Sequence, residues 1–138
     1  MSVATDILPF IPQRAPFVMV STLERCDDEG AETSFIIEPD NIFVQNDLLN
    51  EAALIENIAQ TAAARMGYIC QQEQKPVPVG FIGAVQNLKI SELPKTGEIL
   101  TTTITIKHQI FNATIIEGRV QASGRELAQC EMKIFITE

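Results

Sequence analysis

Asn46-Asp47-Leu48-Leu49-Asn50-Glu51-Ala52-Ala53-Leu54-Ile55-Glu56-Asn57-Ile58-Ala59-Gln60-Thr61-Ala62-Ala63-Ala64-Arg65-Met66-Gly67-Tyr68 is the stretch whose reading decides the fold. No glycine or proline interrupts it before Gly67, and Asn46 or Asp47 offers a side-chain oxygen as N-cap, so one long helix is expected from Asn46 to about Tyr68. Its apolar residues do not keep to one stripe. Leu48, Leu49, Leu54, Ile55, Ile58 and Met66, with the alanines between them, cover most of the circumference. A helix apolar nearly all round is buried nearly all round, and its many alanines keep it thin enough for close approach by whatever encloses it.

What encloses it must come from the flanks. Upstream, Thr5-Asp6-Ile7-Leu8 allows one helical turn before Pro9 and Pro12 stop it. Phe17-Val18-Met19-Val20 opens a strand that runs to about Cys26; Asp27-Asp28-Glu29-Gly30 reads as a solvated turn, and a return strand follows through Ile37. Downstream of the polar loop Gln71 to Lys75, four strand patterns follow: Val77 to Ile90, Glu98 to Phe111, Thr114 to Ser123 and Glu126 to Thr137. The last alternates cleanly, with Ala128, Cys130, Met132, Ile134 and Ile136 on one face and Gln129, Glu131 and Lys133 on the other. That is the pattern of a half-buried antiparallel sheet. A long antiparallel sheet interrupted after its second strand by one thin apolar helix buries that helix by curling around it. The expected class is therefore α+β, a hotdog fold, in one domain over residues 1–138.

Composition narrows the partners. Asp and Glu total 18 against 10 Lys and Arg, a net charge of -8. Such a field repels nucleic-acid phosphates and anionic membrane surfaces, and the basic residues are scattered, so neither partner is expected. Cys26, Cys70 and Cys130 are far apart and odd in number, which suits reduced thiols better than a disulfide framework or a metal site. No basic region followed by a long apolar run opens the chain, and a cytoplasmic location is expected. No metal or cofactor is called for, and the serines have no histidine and aspartate company.

Three motifs in order carry a family resemblance. Ile11-Pro12-Gln13-Arg14-Ala15-Pro16-Phe17-Val18-Met19-Val20 is similar to the opening of FabZ-type 3-hydroxyacyl-ACP dehydratases, where a Pro-His-Arg-x-Pro-Phe segment leads into the first strand. Leu54-Ile55-Glu56-Asn57-Ile58-Ala59-Gln60-Thr61-Ala62-Ala63 resembles their central helix, and Gly97-Glu98-Ile99-Leu100 resembles the turn that opens their third long strand. The resemblance implies an acyl-ACP or acyl-CoA thioester as ligand, held in a tunnel beside the helix carboxylate where two subunits join their sheets. A homodimer or a dimer-based oligomer is the assembly it implies. It assigns the carboxylate to Glu56 and substrate contacts to Gln60, Phe43 and Glu51.

From the residues alone, Glu56 already stands out. Ala52, Ala53, Ala59 and Ala63 share its side of the helix, so its carboxyl is poorly solvated, a setting that suits a general acid. The bland alternative is a carboxylate paired with a buried basic group or reaching the surface between subunits. The family's other catalytic group, a loop histidine that removes the α-proton, is missing. Its place, 14 residues ahead of Glu56, holds Ile42, although Phe43 matches the family's phenylalanine. Asn50 and Glu51 stand where the family's loop-shaping glycine and proline would be, and Gln13 replaces the histidine of the opening motif. His108, the only histidine, falls on the Leu100, Ile104, Ile106 and Ile110 side of its strand, where a core or subunit contact is the commoner role.

These residues leave three readings. The favoured one is a FabZ-like 3-hydroxyacyl-thioester dehydratase homologue of fatty-acid or polyketide type, with altered or impaired chemistry. A second is a hotdog thioesterase in which Glu56 works with Asn41 or Asn46 as the polarising amide. The third is a non-catalytic acyl-binding subunit paired with an active homologue.

Overall fold

In the computed structural model, residues 2–137 are described. The long helix, α1, spans Glu51–Gln72. It starts later than the sequence suggests. Asn50, not Asn46 or Asp47, is the N-cap, its side chain accepting from the Ala53 N–H at 3.1 Å. Asn46 and Asp47 instead take positive φ angles of 52° and 66° and form the turn of a small hairpin, Val44–Gln45 (β3) with Leu48–Leu49 (β4). Asparagine and aspartate tolerate this left-handed conformation better than most residues, which is why the same pair can read as a cap or as a turn. At the other end the helix runs through Gln71 and Gln72, which the sequence reading gave to a loop.

Six strands form one antiparallel sheet: Thr22–Cys26 (β1), Gly30–Ile36 (β2), Val79–Ile90 (β5), Ile99–Ile110 (β6), Ala113–Ala122 (β7) and Arg125–Thr137 (β8), in the order β1-β2-β6-β7-β8-β5. The first strand begins at Thr22 rather than Phe17, and the early helical turn is a 3-10 turn at Leu8–Phe10 rather than Thr5–Leu8. The β7–β8 turn is Ser123-Gly124, both at positive φ (51° and 77°), the geometry that matches strand twist in a two-residue hairpin. All six strands touch α1, so the sheet curls around the helix. This is the hotdog arrangement.

Glycines let the helix lie close on the sheet and on the 3-10 turn. A Cβ on Gly118 of β7 would fall 2.5 Å from the Ile58 side chain, and one on Gly67 would fall 2.0 Å from the Phe10 carbonyl oxygen. The core is Leu54 and Ile58 of α1 against Leu23, Ala31, Leu100, Ile104, Ile116, Val120 and Met132. Inside it lies a polar network. Asn57 donates from Nδ2 to the Met19 carbonyl at 2.7 Å and accepts from the Thr102 hydroxyl, while the Thr61 hydroxyl bonds both the Asn57 carbonyl and Thr33. Each of these side chains is fully buried, and each has a partner, which is the condition under which a buried polar group stabilises.

Asn57→Ala leaves the Met19 carbonyl and the Thr102 hydroxyl unpaired in the core. It is expected to lower stability by about 2–4 kcal/mol in urea denaturation, and an unchanged midpoint would contradict the network's role. A second test concerns pH. Burial, with a smaller contribution from Glu131, pushes the Cys130 thiol from an ordinary 9.0 up to about 11. Between those values the unfolded chain releases a proton that the folded chain keeps. The Cys130 contribution is therefore complete below pH about 9 and is lost as pH rises toward 11. Cys130→Ala should flatten the alkaline decline of stability in denaturation series; an identical slope would show that Cys130 does not titrate as described.

Candidate active site

One flank of α1 remains open to a cavity of about 250 Å³. Its wall is Glu56, Ala59, Ala62, Ala63 and Met66 of the helix, with Ile104 and Ile106 of β6 and Ile134 and Ile136 of β8 opposite. Gly80, Phe81 and Ile82 of β5 close one side, and Pro12 and Gln13 reach in from the N-terminal segment. The alanines that make the helix thin are also what make this space: larger side chains at 59, 62 and 63 would fill it. The wall is largely apolar, suited to an alkyl chain, with Glu56 as its carboxyl group.

Glu56 is half-buried, and its Oε1 accepts a 2.8 Å hydrogen bond from Gln60 Nε2 one turn along. Gln60 is fully buried and bonded on every side. Its Oε1 accepts from the Met19 N–H at 2.7 Å, and its Nε2 also donates to the Phe17 carbonyl at 2.8 Å. The amide thus ties the helix to the extended 17–19 segment and fixes one oxygen of the carboxyl, leaving Oε2 for other partners. Of the alanines expected beside Glu56, Ala59 and Ala63 do share the cavity wall, whereas Ala53 is in the core and Ala52 is exposed.

The other sequence candidates lie off this wall. Asn41 accepts from the Phe43 N–H at 2.9 Å and points its Nδ2 at Met19 Sδ at 3.5 Å, so it meets Gln60 only through Met19. Phe43 packs half-buried against the core and gives its carbonyl to the Asn50 N–H. Asn46 is exposed in its turn, and Glu51 is exposed in the first turn of α1, where a negative charge favours the helix dipole. Ile42 is exposed. His108 is also exposed, because a bulge between Ile106 and His108 breaks the alternation that placed it on the apolar side. It borders a separate recess at the β6–β7 turn with Ile110 and Phe111.

Arg65 and Gln13 also line the cavity. Arg65 is buried, with Nε and Nη2 donating to the Asp27 and Asp28 carbonyls at 2.9 and 3.2 Å, so it clamps the β1–β2 turn. Gln13 was noted only as a missing histidine; its position in the opening motif was the available signal. Among the described residues no histidine or cysteine lines the cavity, so it holds a carboxylic acid without a basic side chain of imidazole type.

The comparisons agree with this architecture. The dehydratase heterocomplex ApeI:P from Xenorhabdus doucetiae superposes with a TM-score of 0.90 at 16% identity, over 100% of this chain and 93% of that one. A hypothetical thioesterase with coenzyme A from Streptococcus pneumoniae TIGR4 gives a TM-score of 0.67 at 12% identity, covering 83% of this chain and 84% of that chain. The Escherichia coli PaaI protein, from the phenylacetic acid degradation operon, gives 0.64 at 12% identity, over 82% and 80%. At these identities the likeness is one of fold. No curated protein matches the chain. The family model for ApeP dehydratase, described as ApeP-like, matches residues 5–138. The chain therefore belongs to the ApeP-like dehydratase family.

Proposed function

We propose that the chain is the acyl-holding, acid-bearing subunit of a FabZ-like 3-hydroxyacyl-ACP dehydratase, working in the cytoplasm with a second hotdog subunit that supplies the base. The observation that carries this reading is the cavity itself, an apolar slot with Glu56 fixed by Gln60 and no histidine on its wall. Dehydration needs two proton transfers. A base removes the proton at C2, the C3–O bond breaks as the C2–C3 double bond forms, and an acid delivers a proton to the departing hydroxyl, which leaves as water. The Glu56 carboxyl, on the cavity wall, is placed for the second transfer. The first needs a group that this subunit does not bring to the cavity.

A partner has a surface to meet. β5 is an end strand of the sheet, bonded to β8, and it carries the exposed apolar side chains Phe81 and Ile82 beside the cavity and Leu88 further along. An apolar end strand invites pairing with a second sheet. The ApeI:P structure is a heterocomplex by description, which favours a second hotdog chain over a second copy. The thioesterase reading is weaker, since Asn41 is engaged with Phe43 and Met19 and Asn46 faces out, so neither amide that it calls on stands on the cavity wall with Glu56.

The test is turnover of a 3-hydroxyacyl-ACP, followed by mass spectrometry, by this chain alone and with a histidine-bearing hotdog partner. Alone it should leave the substrate intact. With the partner, water should be lost, and Glu56→Gln should slow that loss by about 10²–10⁴-fold. Dehydration by the chain alone would remove the need for a partner's base. A fully active Glu56→Gln complex would remove Glu56, and release of free acid would make the chain a thioesterase.

A further inference from the structure

Phe111 is fully exposed, and it occupies a place that suits it poorly. With Asn112 it forms the two-residue turn between β6 and β7, where its φ is 55°. Such turns favour asparagine or glycine, because a large side chain in the left-handed region is strained. Nothing within the subunit offsets that strain: the ring buries no surface and pairs with no other ring among the described residues.

Beside it the outer face of the sheet is hollow. Thr114, Ile116, Ile134 and Ile136 line the acyl cavity, so alternation turns Ala113, Ile115, Lys133 and Phe135 to the opposite face. There, with His108 and Ile110, they line a recess of about 250 Å³ that Phe111 borders. A cavity of about 150 Å³ holds benzene, so this recess has room for a phenyl ring. Its Phe135 ring is stacked by Phe81 at 5.7 Å. Lys133 Nζ stands 5.2 Å from the Phe135 centroid and meets no carboxylate among the described residues.

A projecting ring and a ring-sized recess thus lie side by side on one surface. That is the condition for an isologous contact, in which one patch fits its own copy about a two-fold axis. The lining favours a ring over a carboxylate as the occupant. An incoming ring meets aliphatic and aromatic walls and a cation that attracts its face, whereas a carboxylate would be desolvated among them. The net charge of -8 opposes association of copies in general, but no acid lines this recess, so here they can approach.

We propose that the β6–β7 turn is a self-association site at which Phe111 of each of two copies enters the recess of the other. The backbone edge of β5 stays free for a second hotdog subunit, so two such units are joined back to back through this chain. The contact lies on the face of the sheet away from the cavity and does not depend on the dehydratase reading.

Sedimentation velocity of the full chain tests it, over a concentration series reaching about 0.5 mM, alongside Phe111→Asn and Ala113→Arg. The first removes the ring with a residue that suits the turn; the second fills the recess and keeps the ring. With rising concentration the native chain should pass from a smaller species to one of twice its mass, at low and at high salt. Each variant should weaken that step by about 10²-fold or more, since both insertions are lost in each pair. An equimolar mixture of the two should recover part of it, because the ring of one variant finds the open recess of the other. Phe111→Asn should melt no lower than the native chain, which separates lost association from lost fold. A native chain of one mass throughout, or doubling that survives Phe111→Asn, would overturn the proposal. Absence of any recovery in the mixture would overturn reciprocal insertion, and doubling abolished by salt would assign the contact to ion pairs instead.

Discussion

Asn57 and Gln60 project from one turn of α1, and both hold the same short piece of extended backbone. Asn57 takes the Met19 carbonyl; Gln60 takes the Met19 N–H and the Phe17 carbonyl. A segment that sits outside every named strand is thereby bonded as firmly as a strand would be. Breaking either amide exposes several buried polar groups at once, which is why the arrangement has one stable register. The position of Glu56 follows from it, because the Nε2 that holds Phe17 also holds Glu56 Oε1. So does the position of the cavity, since the 17–19 anchor brings the loop carrying Pro12 and Gln13 alongside the helix.

The helix plays two parts on two sides. Toward the sheet it presents Leu54, Ile58 and the small surface that Gly118 accommodates. On another flank, Ala59, Ala62, Ala63 and Met66 face the cavity, across which stand Ile104 and Ile106 of β6 and Ile134 and Ile136 of β8. The apolar wall suits an acyl chain, and the exposed Phe81 and Ile82 next to it suit a neighbouring subunit.

Much of this could be read from the residues. The gap-free apolar run gave the central helix, and the alternation from Ala128 to Ile136 gave the buried face of β8, because both depend on periodicity and burial. What could not be read depends on local competition between equivalent signals. Asn46, Asp47 and Asn50 are all competent caps, and only the β3–β4 pairing decides that Asn50 does the work. His108 was misplaced because a bulge shifts the strand by one residue, and a bulge leaves no mark in the pattern of side chains. Glu56 was legible as a carboxylate among alanines.

The central claim is that the alanine flank of α1 is the seat of an acyl chain. Photolabelling with an acyl thioester carrying a terminal diazirine, followed by peptide mass spectrometry, tests it most directly. The account predicts crosslinks on the Ala59–Met66 turns of α1 and on Ile134 or Ile136 of β8, suppressed by an unlabelled thioester. Crosslinks confined to the exposed Phe111 turn, or insensitive to competitor, would contradict it.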